Sequence, residues 1–211
     1  MGKSRDVHYE AKVSVLDTDA EIDWGSSVSR AIDEHLEVVT KLKFVEAQLI
    51  VVAQRVTLAL RNGGKVLWMG NGGSAADCQH MAAELVGRFA RERDGLASLA
   101  LTTDTSVLTA IANDYSFADI FRRQVNAICN PQDVVIGIST SGNSENVLRG
   151  LSAAKQKGAF TVGLTGQGGK IAAGGMVNVC IRVPSQVTAR IQEAHILIGH
   201  ILCDCVESQF A

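Results

Sequence analysis

The sequence has no unbroken apolar run of the roughly 18 residues that a membrane-spanning helix requires. Its first ten residues, "MGKSRDVHYE", are polar and lack the apolar stretch of a secretory signal. Asp6 stands where an N-myristoylation motif needs Ser or Thr. Charge of one sign is not in excess. The net charge of −2 leaves no electrostatic footprint for nucleic acid. Cysteine is sparse and odd in number, scattered as Cys78, Cys129, Cys180, Cys203 and Cys205 with no C-x-x-C spacing. A disulfide framework is therefore not expected and a reducing cytoplasm is, with the thiols acting as small buried hydrophobes. The phosphate-binding signature G-x-x-x-x-G-K-[ST] is missing as well. Neither an internal repeat nor a low-complexity tract is present.

What is there suits one globular unit. A chain of 211 residues with 46% hydrophobic content can bury roughly 70% of its unfolded surface. Residues 1–25 are mixed, polar and without a sustained period, and are expected to form a loose N-terminal arm or an added small element before a single domain over 26–211. From Ser26 to Arg61 apolar residues recur at three- and four-residue spacing (Ile32, Leu36, Val39, Leu42, Val45, Leu49, Val52, Val56), which predicts a helix or a broken pair of helices ended by "RNGG". Short apolar runs then alternate with helical ones. Strands are expected at 65–70, 96–103, 133–140, 160–166 and 177–184. Helices are expected from near Ser74, over 105–112, 116–129 and 144–156, and finally over 186–209. Strands apolar at every position are buried on both faces. The expected fold is thus α/β: a doubly wound three-layer sandwich around a mostly parallel five-stranded sheet, with long N- and C-terminal helices.

In such sheets ligands sit beyond the carboxyl ends of the strands. The turns there are "GNGGS", "TTDTS", "STSGNS" and "TGQGG". "STSGNS" places Ser139, Thr140, Ser141 and Ser144 around Gly142 at a helix N-terminus, where free N–H groups and the helix dipole favour an anion. With no Lys or Arg in the loop, a phosphate monoester fits better than a nucleotide; an ordinary Ser-capped turn is the alternative. "GNGGSA" also matches the dinucleotide pattern at Gly70, Gly72 and Ala75, but no acid ends the following strand at the required spacing, which argues against NAD. The helix after it carries His80, Glu84 and Arg88, four apart and so on one face. Such a pair can chelate a metal, act as acid and base, or simply sit in solvent. The very apolar last helix nevertheless contains Gln192, His195 and His200, and polar groups on a buried helix need partners. His80, Glu84, Gln192 and His200 could supply one another, a metal or a substrate. His195 reads as a satisfied or surface histidine.

Together "GNGGSAADCQHMAAELVGRF", "LTTDTSVLTAIANDY", "GISTSGNSENV" and "RIQEAHILIGHILC" resemble the phosphoheptose isomerases, the bacterial sedoheptulose-7-phosphate isomerases with the sugar isomerase (SIS) fold. The resemblance covers about residues 28 to 209 with the motifs in order. It implies that Asn71, Gly72, Gly73, Asn113 and Asp114 contact the sugar and that Ser139, Thr140, Ser141 and Ser144 hold the phosphate. It implies a zinc ion on His80, Glu84, Gln192 and His200, with Glu84 and His200 as general base and acid and with Glu84 and Gln192 also touching substrate. It further implies a cytoplasmic homotetramer whose sites use more than one subunit, and a product, D-glycero-D-manno-heptose 7-phosphate, that feeds ADP-heptose and lipopolysaccharide. Two departures stand out: the arm before residue 26 is longer than usual, and "RDGLASLAL" lacks prolines common in that loop. Two other classes share the fold, namely a non-catalytic protein that binds the bacterial replication initiator and sugar-phosphate sensors. The first generally lacks the Glu and the final His that stand here at 84 and 200. The second carries a DNA-binding segment, for which residues 1–25 are too short and too weakly basic.

Overall fold

A computed structural model describes residues 23–211, so all but the last three residues of the expected arm lie outside the described residues. The helical run is broken as its length suggests. Helix α1 (Trp24–Lys41) starts two residues earlier than expected, where the Asp23 carboxylate accepts from the Ser26 N–H, and a 3-10 turn (Leu42–Val45) joins it to α2 (Glu46–Arg61). Then follow β1 (Val66–Gly70), α3 (Gly73–Val86), β2 (Ser98–Ala100), α4 (Thr105–Asp114), α5 (Ile120–Ile128), β3 (Val134–Ser139), α6 (Glu145–Gln156), β4 (Phe160–Thr165), β5 (Val179–Arg182) and α7 (Thr188–Glu207). The strand expected over 96–103 shrinks to three residues because β2 is an edge strand with one partner, β1.

The sheet has five strands in the order β2-β1-β3-β4-β5, every pair parallel. Side chains alternate across it with the period of two that a strand imposes. Val66, Trp68, Val134, Ile136, Ile138, Val162, Leu164 and Ile181 face a core with α2, α3 and α7. Leu67, Met69 and Val135 face a second core with α4, α5 and α6. Burying side chains of this size contributes about 1.5–3 kcal/mol each. The three-layer sandwich is thus the direct outcome of strands that are apolar on both faces.

Two groups depart from expectation. Cys78, Cys129 and Cys203 are buried as small hydrophobes, but Cys180 is half-buried and Cys205 exposed. His195 is neither satisfied nor on the surface. It is 2% exposed in the core between α7 and the sheet, and among the described residues neither ring nitrogen makes a well-formed hydrogen bond, the Thr165 backbone offering only a weak contact. Burial pushes its pKa from 6.5 down to about 4, with only the backbone at Thr165 pulling the other way.

This gives the stability a defined pH dependence. Above the unfolded pKa the ring is neutral in both states and the stability is fully present. Between 6.5 and about 4 the unfolded chain takes up a proton that the folded chain refuses, so stability falls as pH falls. From pH 7 to pH 5 the loss from this ring should be about 2 kcal/mol. Urea unfolding at the two pH values is expected to show that loss in the parent chain and to show it reduced by the same amount in His195→Leu. Equal losses in the two chains would mean that the buried ring does not control the acid limb.

Candidate active site

The strand order reverses direction between β1 and β3, so the crevice for a ligand lies between the loops that leave these two strands. The β1 loop enters α3 through Gly72, whose φ of 55° and ψ of −124° lie in a region closed to residues with a side chain. Asn71 reaches across the crevice to Asn146 in the first turn of α6, and the two amides exchange hydrogen bonds of 2.9 and 2.8 Å. The expected sugar-contacting turn and the expected phosphate turn are therefore tied together by one amide pair.

In the β3 loop, Ser139 Oγ lies 2.9 Å from Ser144 Oγ and 3.5 Å from Ser141 Oγ. Ser144 stands at the N-cap of α6, yet its side chain makes no capping bond to the helix backbone. The Val147 N–H is taken by Asn146 Oδ1 at 2.9 Å, but among the described residues no side chain takes the N–H of Glu145 or Asn146, and free amides at a helix start are what an anion exploits. A cleft of about 430 Å³ beside the loop is lined by Thr140, Ser141, Gln167, Gly168, Ser185 and Thr188, among others, with no cationic side chain among the described residues. Gln167 and Gly168 come from the "TGQGG" turn.

The second cluster is built by two helices. Gly199 on α7 lies against Met81 on α3 so closely that a Cβ there would meet the sulfur at 2.3 Å. That contact brings His200 beside α3. The His80 and His200 rings pack edge-on with centroids 5.0 Å apart. His80 Nε2 lies 2.9 Å from Glu84 Oε1. Donor atoms of His80, Glu84 and His200 all fall within 4.8 Å of one another. The Glu84 side chain is 21% exposed and that of His80 47%, so the cluster is open on one side. Two nitrogens and a carboxylate oxygen match the donor chemistry of a zinc site that keeps one position free.

Gln192 takes a different place. Its amide lies against Gly73, where a Cβ would stand 2.6 Å from Nε2. Gly73 precedes His80 by seven residues, on the order of 10 Å along α3. Within one chain the structure thus assembles three of the four residues and sets Gln192 at the start of the same helix. Arg88 does not share the face of His80 and Glu84, because α3 ends at Val86; it pairs instead with Glu92 at 3.7 Å. Asn113 and Asp114 lie exposed at the end of α4 and bond to each other at 2.9 Å.

Sequence reasoning passed over Asp77, one turn before Met81. One of its carboxylate oxygens is buried without a partner, and burial raises its pKa, partly countered by His80. Asp77 and His195 border the same small internal cavity. The only signal in the sequence was an acid inside an otherwise small and apolar stretch, "SAADC".

Comparisons with known proteins bear on the fold and the family. Residues 30–166 match the family model of the SIS domain. A phosphoheptose isomerase from Aquifex aeolicus is 56% identical over 184 residues, covering 85% of this chain and 94% of the relative. The structure of a phosphoheptose isomerase from Neisseria gonorrhoeae superposes with a TM-score of 0.81 at 45% identity, covering 87% of this chain and 98% of the other. One from Francisella tularensis gives 0.79 at 37% identity, covering 87% and 96%. With similarity of this extent running through the fold and both site loops, the chain belongs to the phosphoheptose isomerase family, built on a SIS domain.

Proposed function

We infer that this protein is an aldose–ketose isomerase that converts sedoheptulose 7-phosphate to D-glycero-D-manno-heptose 7-phosphate. The observation that carries this reading is the convergence of His80, Glu84 and His200 across the α3–α7 contact, beside a loop suited to phosphate. Isomerisation moves a proton between C1 and C2 through an enediol. In our reading the Glu84 carboxylate takes the proton from carbon, and His200 manages the proton on oxygen. His80 orients Glu84 through their hydrogen bond. Ser139, Thr140, Ser141 and Ser144, with the α6 amides, hold the phosphate, so that binding energy at the far end places C1 and C2. Asn71, Gly72 and Gly73 let the sugar approach the backbone, with Asn113 and Asp114 as further contacts.

The donor set supports a zinc ion held by His80, Glu84 and His200, with Gln192 as a fourth ligand or a substrate contact; when bound it would polarise the substrate's oxygens. Helix α1 carries Trp24, Val28, Ile32 and Leu36 at four-residue intervals, each more than half exposed. An apolar stripe of that kind supports assembly, in our reading as a homotetramer. Among the described residues no helix is long and apolar enough to cross a membrane. We place the enzyme in the cytoplasm, ahead of ADP-heptose and lipopolysaccharide synthesis.

Incubation with sedoheptulose 7-phosphate, followed by NMR, should show the aldose phosphate forming. Glu84→Gln keeps shape and hydrogen bonding but removes basicity, so turnover should fall about 10²–10⁴-fold with the fold intact. Activity within a few-fold of the parent would remove Glu84 from the role of base. The phosphate loop has its own test. Ser141→Ala combined with Ser144→Ala should weaken binding of the phosphorylated sugar by about 1.5–3 kcal/mol for each charge-assisted bond lost. Sedoheptulose without phosphate should bind poorly to the parent chain; equal binding of both sugars would mean the loop has been misread. For the metal, elemental analysis and activity are followed before and after chelation. Zinc should be retained at neutral pH, fall as the medium is acidified through the histidine range, and be lost in His80→Ala. Full activity in chain verified to be metal-free would refute the zinc assignment and leave the acid–base pair standing.

A further inference from the structure

The isomerase reading leaves unused a buried ion pair just behind the catalytic cluster. Glu207, in the last turn of α7, has no exposed surface. Its Oε1 accepts from the N–H of Phe89 at 2.8 Å, and its Oε2 from those of Ala90 and Arg91, both at 2.8 Å. Arg93, whose side chain is 1% exposed, brings Nε to 3.5 Å from Glu207 Oε1. The other guanidinium nitrogens turn back onto α3. They donate to the carbonyl of Glu84 at 2.8 Å and to that of Gly87 at 2.9 Å.

The last carbonyls of a helix have no helical N–H to accept from. Here the segment after α3 supplies donors. Gly87 N–H meets Ala83, Arg93 meets Glu84, and Leu96 N–H meets Leu85. A cation at this helix end also suits the helix dipole. Burial works against the charge on Glu207, but the three backbone N–H groups and Arg93 outweigh it and hold its pKa below the ordinary carboxylate value. The same segment carries Phe89, whose ring centroid is 5.4 Å from that of His200. One carboxylate therefore reaches both halves of the cluster: Glu84 by way of Arg93, and His200 by way of Phe89.

We propose that Arg93 and Glu207 are positioning residues that hold Glu84 at its working distance from His200. This rests on the reading of Glu84 and His200 as the acid–base pair. Loss of a pair that only stabilised the fold would lower stability and leave each folded molecule as active as before. A positioning pair acts on turnover and spares the phosphate loop, which it does not touch.

The test uses the full chain with metal content matched between variants. Glu207→Gln keeps the shape but loses the charge. Arg93→Lys keeps the charge but cannot span the Glu84 and Gly87 carbonyls together. Either variant should lower kcat by about 10- to 100-fold, the scale set by a misplacement near 1 Å, with KM within about threefold of the parent. Spectra of ¹⁵N-labelled histidine rings should show the His200 signals shifted, assigned through His200→Gln, and those of His35 on α1 unmoved. A folded variant with parental kcat and unmoved His200 signals would overturn the proposal. A fall in kcat with a matching change in KM would overturn it too. Should the parent chain fail to isomerise the sugar phosphate, the functional reading fails, and the ring spectra alone decide the clamp: shifted His200 signals support it and unmoved ones reject it. If neither variant folds, the pair is a requirement of the fold and the positioning role is rejected.

Discussion

The close packing of α3 on α7 is the contact on which the site depends. Met81 sits on the bare backbone of Gly199, and Cys203 Sγ comes within 3.9 Å of the Met81 sulfur. Interiors are packed densely enough that a single added methyl at such a point displaces its neighbours. Only because Gly199 has no side chain can α7 lie this near to α3, and only then does His200 stand beside His80 and Glu84. The helix that begins at the glycine turn therefore serves two purposes. Its first residues form the floor of the crevice, and its later turns carry the histidine–carboxylate pair to the partner helix.

The two ends of the site use different physics. At the phosphate loop the donors are neutral hydroxyls and backbone amides, with no lysine or arginine among the described residues that line the adjoining cleft. Neutral donors suit a ligand that must leave after each turnover, because a fixed positive charge would hold substrate and product alike. At the helix pair the groups are titratable and partly open to solvent. Between the two ends runs the Asn71–Asn146 amide pair, which sets the register of the β1 loop against α6.

The buried charge of Glu207 is placed where the backbone can answer it. Glu207 is surrounded by three N–H groups before Arg93 is counted. A buried ion pair alone adds little to stability, since desolvation offsets the attraction. Here the carboxylate instead organises a turn, and the turn closes the end of α3. His195 follows the opposite course: with no well-formed hydrogen bond to either nitrogen among the described residues, it stays neutral and behaves as an apolar side chain until acid forces the issue.

Much of this was legible in the residues themselves. Strands apolar at every position, separated by helical periods, call for a parallel sheet covered on both sides, and the observed sheet is of that kind, while its strand order came from the structure. Helix and strand ends fell within a few residues of expectation, apart from the edge strand β2, whose length depends on having one neighbour. His80 and Glu84 could be paired from spacing alone, because four residues on a helix place two side chains on one face. Which other residues join them could not. His200 approaches through Gly199 on a helix more than a hundred residues away, and Gln192, on the same helix, lies two turns off against Gly73. Arg88 drops off the expected face because α3 stops at Val86, and the apolar surroundings of His195 and Glu207 in the sequence do not say which partners either would find once buried. Periodicity is written in neighbouring residues and so determines the elements and their layers. Convergence, desolvation and the partners of a buried charge depend on which surfaces meet, and only the tertiary structure decides that.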